Sequence, residues 1–149
     1  MIALLLAATL LQTPASTPPK TITMTKSATD GSRTLEKGDQ SNIDDGKQVL
    51  VRTGAEWVKL WQQHAPDHPR PAVDFSKEMV VGVFMGSRPN AGFSTTITSA
   101  TAGNGVLIVR YTETMPGPGT VSAQILTFPF HLVAIPKAAV TDVTFEKTP

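Results

Sequence analysis

A run of seven residues, 79–85 (MVVGVFM), is apolar on both faces of an extended chain and is interrupted only by Gly82. A strand with one wet face alternates apolar and polar residues, so a run without alternation belongs at the centre of a sheet. The run stops at Gly86, a turn follows over Ser87-Arg88-Pro89-Asn90-Ala91-Gly92, and alternation resumes at Phe93. The turn therefore carries a cation, a rigid Pro and a permissive Asn and Gly, with an aromatic ring just behind. Held by a rigid sheet, such a tip suits contact with another protein.

Downstream, Phe93, Thr95, Ile97 and Ser99 alternate with Ser94, Thr96 and Thr98. Gly103-Asn104-Gly105 reads as a hairpin turn, because Gly and Asn tolerate positive φ. Residues 106–112 (VLIVRYT) return as a strand, so residues 79–112 are expected to form a three-stranded antiparallel meander. Other strand signatures lie at Ile22 and Met24 and over residues 33–35, 48–52, 121–126, 131–135 and 143–146, while residues 29–45 otherwise read as a polar loop or hairpin. Pro129 has no N–H for a ladder, which predicts a bend or bulge near an edge. A second tip, Met115-Pro116-Gly117-Pro118-Gly119, alternates stiff and free residues.

One helix is predicted. Thr53 and Glu56 have capping-box spacing, and Trp57, Leu60, Trp61 and His64 follow on one helical face. Pro66 ends the helix. Both Trp residues are expected in the core against the sheet. Together these elements imply an α+β fold: mostly antiparallel β, about seven strands in a sandwich-like or curved sheet, with one amphipathic helix packed on it.

The 149 residues suffice for one domain. With 13 basic and 12 acidic side chains, net +1, no basic footprint for nucleic acid is present. The absence of Cys excludes disulfides and thiolate metal sites. Residues 2–11 (IALLLAATLL) have the length of a signal-peptide apolar core, too short to span a bilayer. The expected organisation is a signal peptide over 1–15, a Pro/Ser/Thr-rich linker over 16–20 and a single domain over 21–149, in a secreted or periplasmic protein.

No catalytic constellation stands out. His64 and His68 have the spacing of a helical metal pair, but Pro66 between them breaks the shared face, which leaves them as solvated loop histidines. Gly92-Phe93-Ser94 lacks the second Gly and the helix of a nucleophile elbow. Asp44 and Asp45 sit in polar surroundings, and Glu113 is placed to pair with Arg110 on the surface. The expectation is a chain with no enzymatic activity, no catalytic or metal-binding residue and no cofactor. Arg88 fits either an interface anchor or an ion pair with Glu113 or Asp74. Phe93 fits an exposed anchor or the core, and its alternation with Ile97 favours the core.

Several segments together resemble a known family. They are Trp57-x3-Trp61, Asp74-Phe75-Ser76-Lys77-Glu78-Met79-Val80-Val81, Gly86-Ser87-Arg88-Pro89, Gly92-Phe93-Ser94, Pro116-Gly117-Pro118-Gly119 and Pro129-Phe130-His131-Leu132-Val133-Ala134-Ile135-Pro136-Lys137. In this order they resemble the C-terminal domain family of the protease-complex subunit PrcB, over roughly residues 49–147. The resemblance implies an exported accessory domain serving a protease, and it implies no catalytic residue. Arg88-Pro89-Asn90-Ala91-Gly92-Phe93 also resembles, more faintly, a loop of chagasin-type cysteine-protease inhibitors, with Gly117-Pro118-Gly119 standing for a second loop. The expected function is therefore a non-catalytic interaction module whose partner is an envelope or secreted protein such as a protease. The alternatives are a loop-based protease inhibitor and an envelope enzyme or small-ligand binder. The expected contact residues are Arg88, Pro89, Asn90, Gly92, Phe93, Pro116, Gly117, Pro118 and Gly119.

Overall fold

The computed structural model describes residues 20–23 and 31–149. The expected signal peptide and the linker up to residue 19 lie outside the described residues, as does Met24. The described elements are β1 (Lys20–Thr23), β2 (Arg33–Gly38), β3 (Lys47–Val51), α1 (Gly54–His64), β4 (Glu78–Phe84), β5 (Ser94–Gly103), β6 (Val106–Thr114), β7 (Phe130–Pro136) and β8 (Asp142–Thr148). They form two four-stranded sheets, ordered β1-β5-β6-β8 and β2-β7-β4-β3. All pairings are antiparallel except β6 with β8. Among the described residues no helix is long and apolar enough to cross a membrane.

The fold has three layers. Met79, Val81 and Val83 of β4 and Val133 and Ile135 of β7 pack against Ile97, Leu107 and Val109 of the opposing sheet. The other face of the same two strands, with Val80, Phe84, Phe130 and Leu132, is covered by Trp57, Leu60 and Trp61 of α1. This double cover explains why the run over residues 79–85 does not alternate. Gly82 leaves room on the helix side, since a Cβ there would stand 2.7 Å from Leu132 Cδ2 and 2.9 Å from Val49 Cγ2.

The helix forms as its sequence predicts. Thr53 Oγ1 accepts from the Glu56 amide, and the Glu56 carboxylate accepts from the Arg52 amide at 2.8 Å. The indole N–H groups of Trp57 and Trp61 donate to the carbonyls of Pro71 and His68. These two bonds tie the Pro-punctuated loop to the helix and satisfy the polar edges of both buried rings.

Four expectations change. The meander over residues 79–112 does not form: β4 pairs with β3 and β7, while β5 and β6 lie in the other sheet. A strand covered on both faces needs a second layer more than a third neighbour, and β5 supplies that layer. Residues 121–126 are not a strand. Pro129 precedes β7, a central rather than an edge strand, and stands before its first ladder residue, where a missing N–H costs no ladder bond. The β5 alternation breaks at a bulge between Ile97 and Ser99, so Ala100 and Ala102, not Ser99, follow Ile97 into the core. The hairpin at Asn104-Gly105 holds, with both residues at positive φ of 52° and 77°.

Candidate functional site

Strand register places the two sequence-predicted tips together. Phe84, which ends β4, pairs with Phe130, which begins β7. Ser94, which begins β5, pairs with Thr114, which ends β6. The connections over residues 85–93 and 115–129 therefore both cross between the sheets at the same end of the sandwich. They also bond to one another. The Arg88 amide donates to the Thr127 carbonyl at 2.8 Å, and the Thr127 amide returns a bond to the Arg88 carbonyl at 2.9 Å. The Ala91 amide donates to the Ala123 carbonyl, and Thr127 Oγ1 donates to the Asn90 carbonyl. The result is an irregular two-chain ribbon.

Gly92 sits where the two chains touch. Its φ is +102°, and a Cβ there would stand 2.9 Å from Pro116 Cγ and 3.0 Å from Ser122 Oγ. The glycine is thus required by packing within the ribbon. Gly119 also has positive φ, +77°, but with open space around it. Pro89 is exposed, Asn90 is half-buried, and Pro116, Gly117 and Pro118 belong to the facing chain.

Arg88 and Phe93 differ from their alternatives. Arg88 forms no ion pair with Glu113, which holds Lys147, or with Asp74. The Asp74 carboxylate instead accepts from the Ser76 hydroxyl and amide, which together hold its pKa below the usual carboxylate value. Arg110 pairs with Glu146 rather than Glu113. Phe93 is half-buried rather than in the core, and the Arg88 guanidinium carbon lies 5.7 Å from its ring centroid.

Beside Met115 of the second tip, the ribbon carries apolar residues that the sequence did not single out as contacts. Met115, Val121, Ile125 and Leu126, between 53% and 98% exposed, are all of the large exposed apolar side chains among the described residues. Read as a strand, residues 121–126 have a face to bury. As a crossing connection they have none, so these side chains face water. Scattered exposed apolar residues are ordinary, but a group confined to one segment is a candidate contact surface.

A second polar feature also escaped the sequence. His64 is 1% exposed, a correction to its reading as a solvated histidine. The helical face that buries Trp57 and Trp61 also carries its ring into the core. The ring packs edge-on against Phe130 at 4.3 Å and Trp61 at 5.1 Å. Its Nε2 lies 3.0 Å from Glu36 Oε2 and its Nδ1 lies 2.8 Å from Ser41 Oγ. A carboxylate only accepts, so Nε2 carries the proton and Nδ1 accepts from the serine hydroxyl. Burial lowers the His64 pKa, against the raising effect of Glu36. Ser41 and His64 border a polar hollow of about 200 Å³, which Gln40, Asn42, Asp67 and His68 also line.

Serine, histidine and a carboxylate in a row is an arrangement used for nucleophilic catalysis. Here the amides that an oxyanion beside Ser41 would need are already engaged. The Ser41 amide donates to the Phe128 carbonyl, the Asn42 amide to the His64 carbonyl and the Ile43 amide to Ser41 Oγ. The row ties β2, the 39–46 connection and α1 to one another.

His131 is likewise buried, and its Nδ1 accepts from the Ile97 amide at 2.9 Å, bridging the two sheets at the β5 bulge. Its Nε2 donates to Thr34 Oγ1 at 3.0 Å. Burial, with a smaller contribution from Lys37, pushes its pKa down to about 4. Among the described residues no group of acidic and histidine side chains is arranged to hold a metal.

The family model described as PrcB C-terminal matches residues 79–136. The match runs from β4 through β7, includes both crossing connections, and leaves α1 outside. No curated protein and no solved structure matches the chain.

Proposed function

With a PrcB C-terminal domain over residues 79–136 as the premise, we propose that this chain is an exported, non-catalytic interaction module that serves a secreted protease as an accessory subunit. The ribbon of residues 87–93 and 115–127 is its docking surface. The observation that carries this reading is the confinement of Met115, Val121, Ile125 and Leu126 to that ribbon. Burying them against a partner is worth on the order of 1.5–3 kcal/mol for each fully covered side chain. The family match supports a protease complex as the setting, and the engaged amides around Ser41 support a structural role for the buried Ser–His–Glu row.

The test is capture of partners from the native envelope fraction by the tagged chain, with a Val121→Ser/Ile125→Ser variant as control. A protease recovered by the wild type and lost by the variant supports the reading. Identical recovery by both removes it. An activity assay on the recovered complex then separates helper from inhibitor: raised or sustained proteolysis marks an accessory subunit, and blocked proteolysis a loop-based inhibitor.

A further inference from the structure

We infer that the ribbon takes a partner segment in which an Asp or Glu side chain is flanked by apolar residues, and that Arg88 is the anchor for its carboxylate. The inference rests on the docking reading above and gives the partner its chemistry.

Charge is the first ground. Arg88 is the one ionisable side chain within residues 87–93 and 115–127. Within the ribbon itself, whatever covers the exposed apolar side chains therefore meets a cation and no anion. The second ground is that the cation is unspent. Arg33 lies against both oxygens of Glu78, at 3.1 and 3.2 Å, and also donates to the Ala72 carbonyl. Arg88 has no acidic partner among the described residues, and the one hydrogen bond of its guanidinium there is a long 3.4 Å contact from Nη1 to the carbonyl of Ser87. Its Nε is shielded from solvent without an acceptor, and so is Asn90 Oδ1 without a donor. These two are the buried side-chain polar atoms without a partner among the described residues, and both lie in this tip.

The position is also prepared. The backbone of Arg88 is clamped on both sides by the Thr127 bonds, and its guanidinium is steadied over the Phe93 ring. An arginine held in place loses less freedom on binding than a free one, and its planar fork matches a carboxylate in two parallel hydrogen bonds. A purely apolar partner would strip water from Arg88 and leave it unpaired, which is costly. The same cation therefore selects an acidic partner and penalises an uncharged one.

The experiment pans displayed short random peptides on the full chain. Enriched peptides are expected to place an Asp or Glu beside apolar residues. Arg88→Gln is expected to weaken them at least about tenfold. Arg88→Glu is expected to restore binding to peptides whose acid is exchanged for Lys, a rescue that a misfolded variant would not give. Enriched peptides without acids, lost by Val121→Ser/Ile125→Ser but kept by Arg88→Gln, overturn the carboxylate anchor and leave the docking surface standing. Peptides indifferent to both variants, or no enrichment at all, overturn both. Capture of anionic lipid vesicles in place of any peptide overturns the protein partner.

Discussion

The layer beneath α1 and the ribbon at the end of the sandwich treat polar and apolar groups in opposite ways. Beneath α1, the buried indole N–H groups find loop carbonyls, and His64 has an acceptor on one nitrogen and a donor on the other. On the ribbon, large apolar side chains face water, and Arg88 and Asn90 keep sealed polar atoms without partners. Burying apolar surface and pairing polar groups are what folding rewards. The first region is accounted for by folding alone. The second leaves large apolar side chains in water, a cost that a bound partner would relieve, and this contrast supports the proposed docking surface.

The contrast can be broken most directly at Trp61. Trp61→Ala empties the helix layer and is expected to cost roughly 3–5 kcal/mol in urea unfolding. A loss under about 1 kcal/mol would mean that the helix layer is not the stabilising one. Acid should act next. His131 and His64 both have lowered pKa values, so the unfolded chain takes up protons first as pH falls. Stability is fully present above the unfolded value of 6.5 and declines as pH drops towards the His131 value of about 4. His131 alone contributes roughly 3 kcal/mol over that interval. Protonation there would set an N–H of Nδ1 against the Ile97 N–H. His131→Gln retains an acceptor without a titrating ring and should flatten the pH dependence of unfolding. An unchanged slope would place the acid sensitivity elsewhere.

Two glycines sharpen the comparison further. Gly86 and Gly119 share positive φ, but a Cβ on Gly86 would stand 2.6 Å from the Gly46 amide nitrogen, whereas Gly119 has open space. Alanine at either position costs about 1–3 kcal/mol in backbone strain. Gly86→Ala should lose more, and equal midpoints in thermal melts would contradict the tighter packing assigned to that turn. The smallest effect belongs to the ribbon surface. Val121→Ser and Ile125→Ser should each stay within about 0.5 kcal/mol of wild type. A larger loss in either would show that these side chains serve the fold rather than a partner.

Local patterns carried much of the architecture into the sequence. The Thr53–Glu56 cap, the helical face of Trp57, Leu60 and Trp61, and the Asn104-Gly105 turn each depend on residues a few positions apart. All three form as their spacing predicts. The site was legible only in part. Arg88 and the Pro-Gly tip stand out because Pro, Gly and an isolated cation punctuate an apolar chain. Val121, Ile125 and Leu126 did not stand out, because a short apolar run reads the same whether it is paired or stranded. Ser41, His64 and Glu36 were invisible as a group, since residues so far apart in sequence carry no common spacing.

The sequence by itself determined which segment coils, most of the segments that extend and where the chain must turn. Those choices follow from backbone sterics, capping and periodicity, which act over a few residues. It also determined that residues 79–85 need cover on both faces. Only the tertiary structure decided that β5 covers this strand instead of pairing with it, that both crossings meet at one end, and that residues 121–126 are left in water. Sheet partners are chosen by non-local packing, where competing pairings differ by contacts between residues distant along the chain. The candidate docking surface arises from that choice, because the same register that seals the core brings the two crossing connections side by side.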